Sequence, residues 1–278
     1  MKMKKMTALL LTGAMTLAMS STFAYAEGET EKIKAAGKVV MTTNAEFEPF
    51  EFKEGDQIVG IDKEIAEKIA EKLGVELEIT DIAFDSLIPS LNAGKADFIA
   101  AGMTATDERR KNVDFSDDYF NASQTIIVRT DSDISGREDL NDKIVGVQQG
   151  TTHDIYCTNE DGSGDITVKE VRRYQKGMDA VADLITGRLD AVVIDDFPAG
   201  KLVEKNPDKI MTLGEAMTEE TYAIAVPKGS DLVDVVNEVI KELNESGEMD
   251  QIFSKYINTE ADAESAAESA AESTGSAE

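Results

Sequence analysis

One short segment of the chain contains an arginine that could bind a negatively charged group. Residues 101–111 read Ala-Gly-Met-Thr-Ala-Thr-Asp-Glu-Arg-Arg-Lys and follow the largely apolar run 96–101, which predicts a buried strand. Thr106 is expected to cap a short helix, and the acidic residues after it suit the first helical turn. Arg109 would then lie beside the strand end and the Thr104 hydroxyl. Its planar guanidinium could bind a carboxylate through two parallel hydrogen bonds, although the pattern also fits an ordinary capped surface helix.

Polar residues also follow the other apolar strands that the sequence predicts. These strand ends are 44–47, 101–104, 148–152 and Asp195. In open α/β sheets, ligands bind outside the carboxyl ends of strands and at helix N-termini, so these segments are expected to meet. Together they supply one cationic fork, one carboxylate and several hydroxyls, which is the complement of a zwitterion. The hydroxyls are those of Thr104, Thr151 and Thr152.

The two oppositely charged side chains would each bind one charged group of the zwitterion. Arg109 is expected to pair with an α-carboxylate, and Asp195 with an α-ammonium. Burying both charges costs several kcal/mol each unless they are paired, so such a site must close around its ligand. Asp195 alone would also fit a helix N-cap, a part that Asp196 could equally play.

Aromatic and polar residues near the same strand ends would complete the site. Phe47 and Phe84 could form aromatic walls, although each also fits a hydrophobic core. A polar to acidic rim would suit a polar or cationic ligand side chain better than an aliphatic one. We assign to this rim Asn44, Glu46, Asp62 and Gln148. Glu46 would equally fit a position that faces water.

Catalytic and cofactor signatures are sparse. The chain has one histidine, His153, which disfavours histidine-dependent triads and multi-histidine metal sites and is expected in an exposed loop. Gly150 is followed by threonines rather than by the Gly-Lys of a phosphate-binding loop. Carboxylate pairs such as Glu219-Glu220 are interpreted as solvated surface or turns. No cofactor and no metal are therefore predicted.

The two ends of the chain differ in composition from the rest. Residues 1–26 have a basic start, a short apolar middle and the Ala-Tyr-Ala sequence at 24–26, which together predict a secretory signal peptide. The apolar middle is too short to span a membrane. Residues 259–278 repeat alanine, glutamate and serine without a large apolar side chain, so we expect an acidic disordered tail there.

Net charge and cysteine content restrict the partners further. The formal net charge is -27, and loss of the three signal lysines would lower it to about −30. Such a chain repels phosphate backbones and anionic lipids, so nucleic-acid and membrane-surface roles are disfavoured. Cys157 is the only cysteine, which excludes an internal disulfide.

Strand and helix patterns alternate along the chain. Strands are predicted at 38–43, 58–60, 75–79, 96–101, 124–129, 143–147, 166–168, 191–194 and 222–226. Helices are predicted near 61–73, 86–91, 176–186, 198–204 and 232–243. Ile61, Ile65, Ile69 and Leu73 recur at helical spacing, and Gly74 ends that helix. The alternation favours an α/β protein with a mostly parallel sheet in its first unit, followed by a second unit of the same kind.

Several strings in a fixed order resemble the polar amino-acid-binding proteins of ABC importers, extracellular solute-binding family 3. These strings are 46–52, 59–62, 87–89, 102–109, 113–117, 145–152 and 225–229. The resemblance covers about residues 38–258. It implies the type II periplasmic-binding-protein fold, with two lobes of mixed sheet and helices joined by two hinge strands. The first lobe would comprise 32–120 and 221–258, and the second 121–220.

The resemblance also implies roles for individual residues. Arg109 matches the carboxylate-binding arginine, assisted by Thr104 and by the region of Thr151 and Thr152. Gly102 matches a backbone acceptor for the ammonium. The other ligand-binding residues implied or expected are Asp195 as the ammonium partner, Phe47 and Phe84 as the aromatic clamp, and Asn44 and Gln148 at the rim.

The resemblance implies an exported, monomeric, non-enzymatic protein, in a periplasm or at the cell surface, that delivers an L-amino acid to an ABC permease. Two positions depart from the family: Glu48, where proline or a small residue is common, and Ile194, where the glutamine binder has histidine. The second departure disfavours glutamine. An alternative on the same fold is a cyclohexadienyl dehydratase acting on prephenate or arogenate, with Glu46 as general acid. A sensory ligand-binding module is a further alternative.

Overall fold

The computed structural model describes residues 28–162, 164–214 and 216–257. The predicted signal peptide, 1–26, and the predicted acidic tail, 259–278, lie outside the described residues. The strands are β1 Lys38–Thr43, β2 Phe52–Glu54, β3 Gln57–Val59, β4 Glu76–Asp81, β5 Phe98–Ile99, β6 Val113–Phe115, β7 Phe120–Arg129, β8 Ile144–Gln148, β9 Glu170–Tyr174, β10 Ala191–Asp195, β11 Ile210–Thr212, β12 Glu219–Tyr222 and β13 Ala225–Pro227. The α-helices are α1 Glu29–Ala36, α2 Ile61–Leu73, α3 Leu87–Asn92, α4 Asp107–Arg110, α5 Thr152–Thr158, α6 Gly177–Ile185, α7 Asp196–Glu204, α8 Leu232–Ser246 and α9 Glu248–Tyr256.

The first sheet has the strand order β4-β1-β5-β13-β6. β1 runs parallel to β4 and β5, whereas β13 pairs antiparallel with both β5 and β6. The parallel part follows from the strand–helix–strand connections through α2 and α3, because a crossover returns the chain in the same direction. The sheet is therefore mixed, and its antiparallel strand comes from the far end of the chain.

The second sheet has the order β11-β7-β10-β8-β9. β10, β8 and β9 run parallel, and β7 pairs antiparallel with β10 and β11. The predicted strand 166–168 is wrong, since those residues form no strand. They lead into β9, which instead provides the edge of the sheet.

Two neighbouring strands carry the chain between the sheets. The first residues of β7 pair antiparallel with β12, from Phe120 opposite Tyr222 to Ser123 opposite Glu219. β7 then continues into the second sheet, while the chain after β12 returns to the first sheet as β13. These are the two connecting strands that the sequence resemblance implied.

The helices pack through the apolar faces that the sequence predicted. Ile61, Ile65, Ile69 and Leu73 of α2 are all buried, and Gly74 ends the helix in the left-handed conformation. In α8 the buried residues are Leu232, Val236, Val239, Ile240 and Leu243. Both helices pack with β1 residues in one cluster, so the first sheet is held by the burial of aliphatic side chains. No helix in the described ranges is long and apolar enough to cross a membrane.

Candidate functional site

A single cleft collects the strand ends from both sheets. Its empty volume is about 320 Å³, which includes space open to solvent. All ten binding residues predicted from the sequence line it: Asn44, Phe47, Phe84, Gly102, Thr104, Arg109, Gln148, Thr151, Thr152 and Asp195. Glu51, Ala101 and His153 also line it. The structure therefore brings the predicted residues together, because β1, β5, β8 and β10 all end at this cleft.

Arg109 enters the cleft from α4, and the predicted cap positions it. The Thr106 hydroxyl accepts from the backbone N–H of Arg109 at 3.2 Å, which fixes the first turn. The guanidinium Nη1 donates to the Thr104 carbonyl at 2.7 Å, and Nη2 donates to the Gly150 carbonyl at 3.1 Å. The guanidinium also lies over the ring of Phe84, 5.3 Å from its centroid. Arg109 thus connects the two sheets across the cleft.

Burying the Arg109 cation costs free energy unless anionic groups pair with it. Desolvation lowers the pKa of Arg109 to about 10, against the opposite influence of Glu220 and Asp195. The group nevertheless remains protonated near neutral pH. A buried cation whose two observed acceptors are neutral carbonyls is well prepared for an anionic ligand group.

Asp195 supplies the opposite charge at the end of β10. Its side chain is buried, and Oδ2 accepts a hydrogen bond from the Tyr222 hydroxyl at 2.6 Å. Oδ1 has no hydrogen-bond partner in the described part of the chain. Burial, followed by the nearby Glu220 carboxylate, holds the pKa of Asp195 well above its usual range. Asp195 precedes α7 but makes no side-chain cap, so the N-cap alternative is not what its carboxylate does here.

His153 contradicts the expectation of an exposed loop residue. It is only 2% exposed, lies in α5 and lines the cleft. Its Nδ1 is 3.7 Å from Asp195 Oδ1, and neither ring nitrogen has a hydrogen-bond partner among the described residues. Burial and the Arg109 cation lower the pKa of His153 to about 3, so the ring is neutral near pH 7. Its position directly after Thr152, in a helix start at a strand end, was the available signal.

The three threonine hydroxyls do not all have the same hydrogen-bond partners. Thr151 caps α5: its hydroxyl accepts from the Asp154 N–H at 3.3 Å and donates to the Gln148 carbonyl at 2.7 Å. Thr104 and Thr152 instead donate to one carboxylate, that of Glu220 on β12. The Thr151 hydroxyl therefore bonds within its own loop and helix, whereas the Thr104 and Thr152 hydroxyls both bond to Glu220.

Glu220 was missed because the Glu219-Glu220 pair was interpreted as solvated surface. The interpretation holds for Glu219, which is exposed, but Glu220 is half-buried. Alternate residues of a strand face the same side, so Glu220 and Tyr222 of β12 point together toward the cleft. The signal was present in this alternation, but only the pairing of β12 with β7 shows which face is inward.

The floor of the cleft is formed by Gly102 and the groups beneath it. Asp62 accepts from the Gly102 N–H at 2.8 Å and from the Tyr119 hydroxyl at 2.7 Å. Asp62 is fully buried and does not line the cleft, so its assignment to the polar rim is wrong. Glu51 lies beside Asp62, and burial, with the Asp62 carboxylate next, holds the pKa of Glu51 well above its usual range. The pair supports the backbone on which the site is built.

Two residues assigned to the polar rim, Asn44 and Gln148, are buried and join across the cleft. The Asn44 Oδ1 accepts from Gln148 Nε2 at 2.8 Å, and Asn44 Nδ2 donates to the Ile82 carbonyl at 2.9 Å. Glu46 forms an ion pair with Lys176 on the opposite side, and it is not among the residues that line the cleft. These contacts hold the two sheets together in a closed arrangement.

Gly102 should not tolerate a side chain. Its φ is +49°, and a Cβ there would lie 2.7 Å from the ring of Phe47. We expect Gly102→Ala to cost about 1–3 kcal/mol of stability through strain and the displaced ring. Chemical denaturation would measure the loss, with Gly94→Ala as a control, because Gly94 also has positive φ but open space around it. Equal losses at the two positions would show that the Phe47 contact is unimportant.

Other reactive groups in the structure are poor candidates for chemistry. The described residues contain no cluster of three or more potential metal ligands. Cys157 is buried, and its pKa is raised to about 12 by burial and by Asp154, so its thiol is unreactive near neutral pH.

The sequence profile of the bacterial extracellular solute-binding proteins, family 3, matches residues 39–259. The chain therefore belongs to that family. Its two-lobed α/β architecture is that of the type II periplasmic binding proteins, as the sequence predicted.

The chain is also similar to individual members of the family and to solved structures. The chain is 36% identical to the arginine-binding extracellular protein ArtP of Bacillus subtilis, over 93% of this chain and 100% of ArtP. A crystal structure of a variant of ArgBP from T. maritima is similar with a TM-score of 0.77 and 45% identity, covering 83% of this chain and 99% of ArgBP. The ancestral amino acid-binding protein AncCDT-1, a precursor of cyclohexadienyl dehydratase, gives a TM-score of 0.73 and 33% identity, covering 82% and 98%.

Proposed function

We propose that this protein captures a free L-amino acid between its two lobes and delivers it to an ABC permease. One observation carries the proposal: a buried guanidinium and a buried carboxylate with an unpartnered oxygen line the same closed cleft. Arg109 would bind the α-carboxylate and Asp195 the α-ammonium. Each charge of the zwitterion would then offset the burial of a protein charge.

We propose a polar or cationic side chain for the ligand, with L-arginine as the first candidate. The aromatic rings of Phe47 and Phe84 line the cleft beside the amides of Asn44 and Gln148. Aromatic faces and amide oxygens are compatible with a planar guanidinium. The names of ArtP and ArgBP, both arginine-binding proteins, support the same candidate.

The proposal includes the division of the chain and its mode of action. The first lobe is assigned to 32–120 with 221–258, and the second to 121–220, with β7 and β12 as the hinge. Ligand entry would require the Asn44–Gln148 and Glu46–Lys176 contacts to separate, and closure would restore them. The protein would act outside the cytoplasm after removal of residues 1–26, as a monomer.

A non-enzymatic role is part of the proposal. The alternative, a cyclohexadienyl dehydratase, needs a general acid beside the leaving hydroxyl, and Glu46 was the candidate. Glu46 is held in an ion pair with Lys176 outside the cleft lining. Incubation with prephenate is therefore expected to yield no phenylpyruvate, and its formation would favour the enzyme instead.

Calorimetry of the purified protein with a panel of L-amino acids tests the proposal. We expect binding of L-arginine with a dissociation constant near 1 μM, equivalent to about −8 kcal/mol. Ligand carried through purification should be removed by unfolding and refolding, then identified by mass spectrometry. A chain that binds none of the panel, and releases no amino acid on unfolding, would contradict the proposed function.

A further inference from the structure

Glu220 lies at the junction of both lobes and the hinge. Its Oε2 accepts from the hydroxyl of Thr104 at 2.5 Å and from that of Thr152 at 2.8 Å. Its Oε1 accepts from Gln124 Nε2 on β7 at 2.6 Å. One carboxylate therefore collects donors from the first lobe, the second lobe and a hinge strand.

The number of available protons limits what the two hydroxyls can offer a ligand. A threonine hydroxyl has one proton to donate and two lone pairs with which to accept. Thr104 and Thr152 both line the cleft, and both give their proton to Glu220. They can then present only lone pairs to a ligand. Lone pairs suit an ammonium group and are repelled by a carboxylate.

The charged groups near the two hydroxyls also favour an ammonium at these acceptors. The unpartnered Asp195 Oδ1 is a further acceptor in the same cleft. Glu220 itself is close enough to Arg109 and Asp195 to act on the electrostatics of both. The ionised carboxylates of Glu220 and Asp195 can only accept hydrogen bonds, whereas the Arg109 guanidinium can only donate them. Arg109 is therefore suited to the α-carboxylate, and the acceptors are suited to the α-ammonium.

We propose that Glu220 is a positioning residue that orients the Thr104 and Thr152 hydroxyls as acceptors for the α-ammonium of the ligand. This inference rests on the proposed amino-acid-binding function and changes the part assigned to Thr104 and to Thr152, from the carboxylate to the ammonium of the ligand. It also defines the ligand class more closely, because a ligand without a protonated α-amine leaves these acceptors unpaired. Unpaired buried acceptors are costly.

Two substitutions separate orientation from charge. Glu220→Leu removes the acceptor, so both hydroxyls can turn their protons toward the cleft. Glu220→Gln retains one acceptor oxygen for the two threonines, and its amide nitrogen can donate to Gln124 once that side chain turns its own oxygen around. Gln124 Oε1 has no partner among the described residues and is free to do so. Glu219→Leu is the matched control, on the same strand but exposed.

The experiment compares L-arginine with 5-guanidinopentanoate, the same molecule without its α-amine, by calorimetry on each protein. For Glu220→Leu we expect L-arginine to bind about ten- to hundredfold more weakly, with the amine-free analogue unchanged or tighter. Glu220→Gln and Glu219→Leu should keep the parent's preference within a few-fold. Because the ratio is measured on one preparation, a partly unfolded fraction cancels.

Each result decides the matter. Equal weakening of both ligands in Glu220→Leu would indicate a merely structural role and overturn the inference. A Glu220→Gln protein as impaired as Glu220→Leu would overturn it too, because charge rather than hydroxyl orientation would be responsible. A parent that binds no amino acid overturns the proposed function itself, which is visible before any variant is made.

Discussion

Replacing Arg109 by alanine is expected to weaken amino-acid binding by more than tenfold. Its guanidinium is the cation that we propose binds the α-carboxylate, and removal of one partner of a buried charge pair costs about 2–5 kcal/mol. Affinity should therefore fall by about thirtyfold to several thousandfold. The variant also loses the contacts from Nη1 to Thr104 and from Nη2 to Gly150, so the closed form itself should be less favoured. Calorimetry with L-arginine measures the loss.

The neighbouring arginine provides the control for this prediction. Arg110 belongs to the same helix, but its guanidinium is exposed and contacts the Ala105 carbonyl and the ring of Phe115. Arg110→Ala changes net charge by the same amount and should bind nearly as the parent does. Arg109→Lys should recover little, because an ammonium lacks the planar fork that serves two carbonyls and a carboxylate together. Tight binding by Arg109→Ala would show that the carboxylate is held elsewhere.

The sequence predicted those parts of the site that depend on local structure. Arg109 was placed correctly because an N-cap and the preceding strand fix the start of α4 within a few residues. Strand ends were recognisable from apolar runs followed by polar residues, and the general rule for open sheets brings such ends together. The apolar face of α2 followed from helical spacing alone.

The errors concern residues whose environment depends on distant parts of the chain. Asp62 looked like a rim residue, but it is buried because Gly102 and Tyr119 lie against it. His153 looked exposed, but β10 brings Asp195 beside it. Glu220 was interpreted as solvated surface, and only the pairing of β12 with β7 shows that its side chain lies on the inward face of the strand. No local pattern records these contacts, since each joins segments far apart in sequence.

The charges of the cleft explain why a zwitterion would stabilise the closed form. Arg109 is buried with two neutral acceptors, and Asp195 is buried with one oxygen unpartnered. Both groups are therefore destabilised as ions in the closed protein without ligand. A ligand that supplies one anion and one cation relieves both penalties at once. The free energy of closing would then come largely from pairing charges that folding has already desolvated.

Asp195→Asn is expected to weaken amino-acid binding about tenfold to a hundredfold or more. The amide keeps the shape and can still accept from Tyr222, but it cannot neutralise an ammonium, and its nitrogen presents a donor to the ligand's donors. Asp196→Asn is the control, because that carboxylate contacts Ser123 and the Phe197 N–H. An Asp195→Asn protein with parental affinity would exclude the proposed ammonium site.

The same carboxylate should make both binding and stability depend on pH. A bound ammonium favours ionised Asp195, whereas burial raises the pKa of this carboxyl well above its usual range, so binding should lower that pKa. Affinity should therefore rise with pH through the raised pKa, with proton release detectable in buffers of different ionisation enthalpy.

Stability of the ligand-free protein should change in the opposite sense: the folded state holds this proton more tightly than the unfolded state, so the stabilisation is present at low pH and lost as pH rises through the raised pKa. Asp195→Asn removes this contribution, and the difference between the two proteins in melting temperature against pH isolates it from those of Glu51 and Asp62, whose pKa values are also raised. Parallel curves for the two proteins would show that Asp195 is ionised throughout, and that its charge is already balanced without a ligand.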